Sequence, residues 1–581
     1  MIGLAMLAGA VLRFWSLPSL GLDHFDEGIY AIAGLWSVNP KGLAAYDAGS
    51  IAYAPPGFPI LVGLSYLLLG VRDTAVVLVS IVAGVATIPV VAWLAKRSFG
   101  AGAGAAAAWL CALSGPHVAF SRTGLTDALA LLTFLLALGF GSRFLERPGF
   151  WRAMVFGLAV GVAQNVKYSG FLSGVIVALA WLFGLFHVKH RARGPLLRTL
   201  FFGVLAAIVA ALCYLPWFLF VEKATGYAGL LAHQRSYTSG ISAWPAHWYQ
   251  QLAQSVALSG LVSGRITWAG PAWAVAILSG AACAGLISRA AWLRVLIATT
   301  AAFALAGLMP MLAWWTSLAV VLGLWRHWAR ATHATQLCSM AWLFMSLLTP
   351  FYYPYARLWL PVEALGWVLV AGAIPRFVAE LCRVPRGLRA GITWLGERPI
   401  AAFKVIAVVL ICGIQSFGIA PSPVVWPWLL GPTDGLREAT RTLSVGILKR
   451  DPKAQPSLMA LPPAFFYFRV HGLRVRRVDK LDALLESKDW QIADELQARI
   501  LSGLDAFHSA FAATPAVRYS LSGTTLLDMD PKAAFGSSQM GQSHYEWLVP
   551  YALKVRPEAE IHYIMGPAAF QRSGPWPKGT S

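Results

Sequence analysis

The feature that most constrains this chain is a series of apolar stretches, each about as long as a bilayer crossing and most of them closed by basic or interfacial residues. A helix needs roughly 20 apolar residues to span the hydrocarbon core, somewhat fewer where snorkelling side chains bound it. Such stretches predict spans at 2–20, 74–95, 101–120, 126–144, 152–166, 169–187, 197–221, 269–288, 292–309, 311–325, 335–349, 358–374 and 400–420. Of the 581 residues, 57% are hydrophobic and 12% are charged, where a soluble chain carries about twice that charged share. So much apolar surface exceeds what a water-soluble core could hide, and lipid supplies the missing solvent. The expected architecture is an α-helical polytopic membrane protein of about thirteen transmembrane helices.

The formal net charge of +20 would suggest nucleic acid in a soluble protein. Here the basic residues sit between apolar segments, as the positive-inside rule requires, and no nucleic-acid partner is expected. With a cytoplasmic N-terminus, one set of loops carries Lys96/Arg97, Arg143/Arg147/Arg152, Lys189/Arg191/Arg193/Arg198, Arg289/Arg294, Arg326/Arg330 and Arg376 to Arg398. The opposite set, 21–73, 121–125, 222–268 and 350–357, holds fewer basic groups and most of the acidic ones. That asymmetry predicts a multi-pass protein of the cytoplasmic (inner) membrane. The first apolar stretch lacks a basic start and a small-residue cleavage pattern, and is expected to be retained as a span.

An odd number of spans places the region from about 421 to 581 outside. The expected domains are a transmembrane catalytic domain, 1–420, with a long first outer loop at 21–73, and a soluble extracytoplasmic domain, 421–581. That tail alternates: 434–449 is helix-like, Pro456 to Leu461 strand-like, 463–469 apolar and aromatic, and 489–503 helical in period. It predicts a small α/β domain. The six cysteines (Cys111, Cys213, Cys283, Cys338, Cys382 and Cys412) form no Cys-x-x-Cys pair and none lies in the tail. Neither a stapled tail nor a zinc–thiolate site is expected.

Chemistry concentrates in the outer loops. The first opens Asp23-His24-Phe25-Asp26-Glu27-Gly28-Ile29-Tyr30 and continues with Ala54-Pro55-Pro56-Gly57. An apolar run follows at 60–70, too short to cross, which is expected to lie along the membrane surface or re-enter it. Three carboxylates within five residues are costly at a membrane face unless they bind cations or move protons; the plain alternative is a solvated helix start. In the next outer turn Asp127 opens a span, as a dipole partner or as a second carboxylate on the same side as Asp26. Two carboxylates on one face could hold a divalent cation and leave one as a general base. Beyond Asp127 at a boundary, Glu363 is the one acidic residue that stands within an expected span, by about 8 Å of helix rise, whereas ion-coupled carriers usually need buried relays. Lys167 at a break between two spans, and Arg357 in an aromatic belt with Tyr353, are interfacial anchors or partners for a lipid phosphate.

Together these segments resemble the dolichyl-phosphate-mannose protein mannosyltransferase superfamily, whose bacterial members include the transferases that add aminoarabinose to lipid A. The matching parts are Asp26-Glu27 with Tyr30-Ala31, Pro55-Pro56-Gly57, Ser121-Arg122 through Asp127, Lys167-Tyr168-Ser169, and Tyr353 through Pro361, in order over about residues 10–370. The resemblance implies a GT-C fold and inverting transfer from a polyprenyl-phosphate-linked sugar. It implies Asp26 as general base, Glu27 and Asp127 completing a catalytic site that a divalent metal such as Mg, Mn or Zn would join, and Lys167, Tyr168, Tyr353, Arg357, Tyr30, Pro55 and Pro56 around the donor. The acceptor would be an extracytoplasmic protein, lipid or glycan. Many bacterial relatives carry a lysine where this chain has Ala54, which argues for a different grip on the donor phosphate and a sugar other than aminoarabinose. The alternatives are a flippase or transporter of a lipid-linked saccharide, disfavoured by the lack of half-to-half symmetry, and a sugar polymerase or ligase with pyrophosphate-linked donors.

Overall fold

A computed structural model of the chain describes residues 2–22, 25–39, 54–187, 193–224, 226–258, 328–352, 354–381, 435–450 and 462–473, with short pieces at 317–324, 452, 457–458, 476–477, 562–564 and 573–575. The expected spans at 269–288, 292–309 and 400–420, nearly all of 311–325, and the tail segment 489–503 lie outside the described residues. The chain divides into two compact units. One comprises Met1–Trp15, Ile81–Ser121 and Thr126–Val425; the other comprises Ser16–Ser80, Arg122–Leu125 and Trp426–Ser581.

Helices dominate both. In chain order they are α1 (Ile2–Phe14), α2 (Phe25–Val38), α3 (Gly57–Leu69), α4 (Asp73–Phe99), α5 (Ala101–Leu113), α6 (Gly115–Ser121), α7 (Asp127–Glu146), α8 (Phe150–Val166), α9 (Leu172–His187), α10 (Arg193–Ala224), α11 (Tyr227–Ser236), α12 (Trp244–Leu258), α13 (His333–Leu348), α14 (Leu360–Leu381), α15 (Gly435–Arg450) and α16 (Pro462–Val470). Among the described residues six helices are long and apolar enough to cross a membrane, or seven when the bent pair α5–α6 counts as one. They coincide with the expected spans at 2–20, 74–95, 101–120, 126–144, 169–187, 197–221 and 335–349; the 152–166 and 358–374 stretches form α8 and α14.

The first unit is a helical bundle in which α7 packs against α8, α9 and α13, α10 lies along α8, and α14 lies against α5 and α13. The α8–α10 contact follows from Gly157 and Gly161, four residues apart. A Cβ on Gly161 would sit 2.6 Å from the Cβ of Cys213, and one on Gly157 would strike the backbone carbonyl of Ala206. Small residues at this spacing let two membrane helices approach backbone to backbone. The opposite face of α10 exposes Leu197, Leu200, Phe201, Val204, Ile208, Leu212, Leu215 and Leu219, an apolar stripe at helical spacing that water would not tolerate and acyl chains would.

The 101–120 stretch, expected to be one span, breaks at Ser114 into α5 and α6, bent by 58°. The cause is chemical. Pro116 has no N–H for the Ala112 carbonyl, and the buried guanidinium of Arg13 on α1 takes over that role. Its Nη1 donates to Ala112 O (2.9 Å) and Gly9 O (2.9 Å), its Nη2 to Cys111 O (3.2 Å) and to His117 Nδ1 (2.6 Å). Backbone groups freed by a kink inside a bilayer need such partners.

In the second unit α2 packs against α3 and α16, and α15 packs against α16. The tail's expected strand at Pro456 to Leu461 is present as β1 (Ser457–Leu458), paired in parallel with β2 (Arg476–Arg477); β3 (His562–Ile564) and β4 (Ser573–Pro575) form an antiparallel pair. The expected helix at 434–449 is α15, and the apolar, aromatic stretch 463–469 falls in α16, a helix that the sequence reading does not assign. Two prolines open α16, where a missing N–H costs nothing. Gly472, at φ 82°, closes it with Leu473 N–H donating to Phe468 O and Gly472 N–H to Arg469 O, the backbone reversal that favours glycine. The 60–70 run folds as α3, whose 13 residues rise only about 20 Å, short of a bilayer core.

Candidate active site

In the second unit, Asp26 and Glu27 fall in the first turn of α2, where unpaired N–H groups and the helix dipole favour negative charge. Glu27 is only 3% exposed, and its Oε1 accepts a 2.6 Å hydrogen bond from the Gly124 N–H. Gly124 fits closely there: a Cβ would lie 3.0 Å from Leu22 Cδ2 and 3.0 Å from Val76 Cγ1, and 3.5 Å from Glu27 Cβ. The neighbouring Arg122 is buried, and burial pushes its guanidinium down to about 10, which leaves it cationic at neutral pH. Asp26 is half-buried beside the clamped Glu27.

Tyr30 and the Pro55–Pro56 pair also come together here. Pro56 caps the start of α3, and the Tyr30 ring meets the Phe58 ring edge-on at 5.4 Å. The two helices approach closely because Gly34 and Gly63 face each other; a Cβ on Gly63 would stand 3.0 Å from Gly34 O. Tyr66 on α3 donates its hydroxyl to Ala31 O on α2 (3.1 Å) and stacks on Phe466 of α16.

The second unit also contains a polar cluster that the sequence does not announce. Asp73, 4% exposed, accepts from Arg437 Nη1 (2.9 Å) and from the Tyr467 hydroxyl (2.8 Å) at Oδ2, and from Thr74 N–H at Oδ1. The Tyr467 hydroxyl in turn accepts from Leu22 N–H at 2.6 Å, and Arg437 Nη2 donates to Pro18 O. Burial, and then the charge of Asp73, push the Tyr467 hydroxyl well above its usual value, so it remains a proton donor. The sequence signals are weak: an acid opening a span, and an aromatic run at 465–468 in a polar tail.

In the first unit, Asp127 at the start of α7 is 4% exposed and its Oδ1 pairs with Lys167 Nζ at 2.6 Å. Lys167 sits where α8 ends, in extended backbone between α8 and the 3₁₀ turn Tyr168–Phe171. That turn folds tightly because Gly170 has no side chain: a Cβ would strike the Ala163 backbone, and Gly170 N–H donates to Lys167 O at 2.7 Å. The Tyr168 hydroxyl accepts from Trp217 Nε1 (3.2 Å), a partner absent from the sequence expectations. Arg357 is half-buried with its guanidinium 4.8 Å over the Tyr355 ring, a cation–π contact. The belt before it is pinned by Ser239 N–H to Phe351 O, Tyr352 hydroxyl to Gln234 Oε1, and Gln251 Nε2 to Thr349 O. Tyr353 lies outside the described residues, as do Asp23 and His24.

Among the described residues no three His, Cys, Asp or Glu side chains gather as a metal-binding group. A backbone N–H already occupies one oxygen of Glu27, and an ammonium one oxygen of Asp127.

Residues 53–220 match the family model of the dolichyl-phosphate-mannose-protein mannosyltransferases. A search of curated protein sequences gives no match. Among solved structures the chain is similar to ArnT from Cupriavidus metallidurans bound to undecaprenyl phosphate, at 16% identity and a TM-score of 0.55 over 84% of this chain and 91% of that one. It is similar to the apo state of the same protein at 16% identity and a TM-score of 0.53, over 90% of this chain and 95% of that one. The protein is an integral membrane protein with the GT-C fold, and residues 53–220 of it carry the mannosyltransferase family match.

Proposed function

We propose that the protein is a membrane glycosyltransferase that moves a sugar from a polyprenyl-phosphate-linked donor to an extracytoplasmic acceptor, with inversion at the anomeric carbon. The observation that carries this reading is the carboxylate pair at the start of α2: Glu27 buried and clamped by Gly124, Asp26 part-exposed next to it. The family match and the fold support the class of reaction. The undecaprenyl phosphate bound in ArnT supports a polyprenyl-phosphate carrier.

In this reaction the acceptor hydroxyl attacks the anomeric carbon from the face opposite the phosphate. The bond between that carbon and the phosphate oxygen breaks, and polyprenyl phosphate departs. Asp26 takes the acceptor's proton as general base, and Glu27 supports it from its fixed position. Lys167 and Arg357 are cations suited to the leaving phosphate, and stabilising charge that develops on a leaving group is often the largest catalytic contribution. Asp127 holds the Lys167 ammonium in place until phosphate competes for it.

The test is transfer of label from a panel of radiolabelled polyprenyl-phosphate sugars into membrane acceptors, comparing wild type with Asp26→Asn. The expected loss in the variant is on the order of a hundredfold or more, and migration of the labelled product identifies the acceptor. Equal transfer by both proteins overturns Asp26 as the base. No transfer by wild type from any donor moves the assignment to the flippase reading, for which a lipid-flipping assay is decisive.

A further inference from the structure

The C-terminal region has no part in the chemistry above, yet α16 is deeply buried over four consecutive residues: Phe465, Phe466, Tyr467 and Phe468 are all at most 1% exposed. It packs against α2, the helix that carries Asp26 and Glu27. The backbone leading into α2 is held through Leu22, whose N–H donates to the Tyr467 hydroxyl at 2.6 Å. Tyr467 donates onward to Asp73 at 2.8 Å, and Asp73 is fixed from a second side by Arg437 at 2.9 Å. Leu22 also forms part of the wall against which Gly124 sits, and Gly124 holds Glu27. Further along α2, Tyr66 bonds Ala31 O while stacking on Phe466. Two of these hydrogen bonds, Leu22 N–H to Tyr467 and Tyr66 to Ala31 O, therefore depend on α16 or touch it.

We propose that Tyr467, with Asp73 and Arg437, is a positioning device for the carboxylate pair, so that the C-terminal region sets the register of α2. The inference rests on the transferase reading for its effect on turnover, and on geometry alone for its effect on α2. Packing fixes the aromatic rings wherever hydrophobic burial suffices. The hydroxyl does something narrower: it joins the Leu22 amide to a buried carboxylate, and a chain segment released at that point moves the first turn of α2 by fractions of an ångström. Misplacement of about 1 Å in a catalytic group costs on the order of a hundredfold in rate.

Tyr467→Phe keeps the ring and deletes the hydroxyl; Asp73→Asn keeps the shape and deletes the charge. In the full-length, detergent-purified protein, each single variant is expected to lower kcat about tenfold or more while KM for the donor stays within about twofold. The double variant is expected to lose no more than the worse single, because the pair acts as one unit. Hydrogen exchange of the backbone over 22–35 is expected to speed up in Tyr467→Phe. Additive losses, an unchanged kcat, or unchanged exchange over 22–35 would overturn the inference while leaving Asp26 as base. Should wild type transfer from no donor, the transferase reading fails, and faster exchange in Tyr467→Phe still supports the positioning of α2 while unchanged exchange overturns it.

Discussion

Lys167 and Asp127 share a salt bridge across forty residues of sequence, but the two ends are not equally solvated. The Asp127 side chain is 3% exposed and that of Lys167 31%. Removing the lysine strands a buried carboxylate, whereas removing the carboxylate leaves an ammonium that water can reach. Lys167→Met is therefore expected to destabilise the protein by about 3 kcal/mol, and Asp127→Asn by about 1 kcal/mol, as read from thermal unfolding in detergent. A larger loss in Asp127→Asn would contradict the burial asymmetry. Both residues are legible in the sequence because each interrupts an apolar stretch. Asp73, Arg437 and Tyr467 are not, because their bonds join positions 364 and 394 residues apart, a distance at which local pattern carries no information. Arg13 falls between these cases. A cation inside an apolar stretch is visible in the sequence, but its partners, the carbonyls of Cys111 and Ala112, follow only once Pro116 has freed one of them.

Helices are the most legible element, because a run of about 20 apolar residues has few other fates in lipid. Their ends and breaks are less so. The bend between α5 and α6 has its signal in Ser114-Gly115-Pro116, yet a proline within an apolar run kinks some membrane helices and merely passes through others, as Pro89 does within α4 and Pro216 within α10. At Pro116 the freed carbonyl is met by Arg13 from another helix, a tertiary fact that no local pattern carries. The glycines of α8 and of the turn that follows it carry a sharper expectation. A methyl at Gly170 would collide with the Ala163 backbone and push apart the turn that presents Lys167 and Tyr168. Gly170→Ala is expected to cost about 2 kcal/mol by overpacking and to raise the donor KM, because it displaces the ammonium. Gly157→Ala, which would press on the Ala206 carbonyl between α8 and α10, is expected to lower stability similarly with little change in KM. Equal KM values for the two variants would refute the link between the turn and the donor.

For the whole molecule the question is which end of the bundle faces which compartment. Within the first unit three of the basic loops, those after α4 and α7 and before α13, gather physically at one end. The guanidiniums of Arg97 on α4 and Arg143 on α7 both lie over the Trp93 ring, at 5.8 and 5.2 Å. Arg97 pairs with Glu146, and Thr332 and Thr335 at the head of α13 donate to Arg97 O and Ser98 O. The loops that carry Lys96, Arg147 and Arg330 are thus neighbours in space as well as alike in charge. Asp127, which opens α7, and Lys167, which closes α8, mark the opposite end. Basic loops stay on the cytoplasmic side, so the Asp127–Lys167 end is expected to face out. Two glycines with room for a side chain test this. A Cβ at Gly149, between α7 and α8, comes no closer than 3.8 Å to a neighbour, and one at Gly240 no closer than 3.9 Å. With a membrane-impermeant maleimide, and the label taken up by the native cysteines subtracted, Gly240→Cys is expected to react in intact cells. Gly149→Cys is expected to react only after permeabilisation. The reverse pattern would put Lys167 on the cytoplasmic side, where a donor presented from outside could not reach it, and the extracytoplasmic acceptor would have to be abandoned together with the orientation.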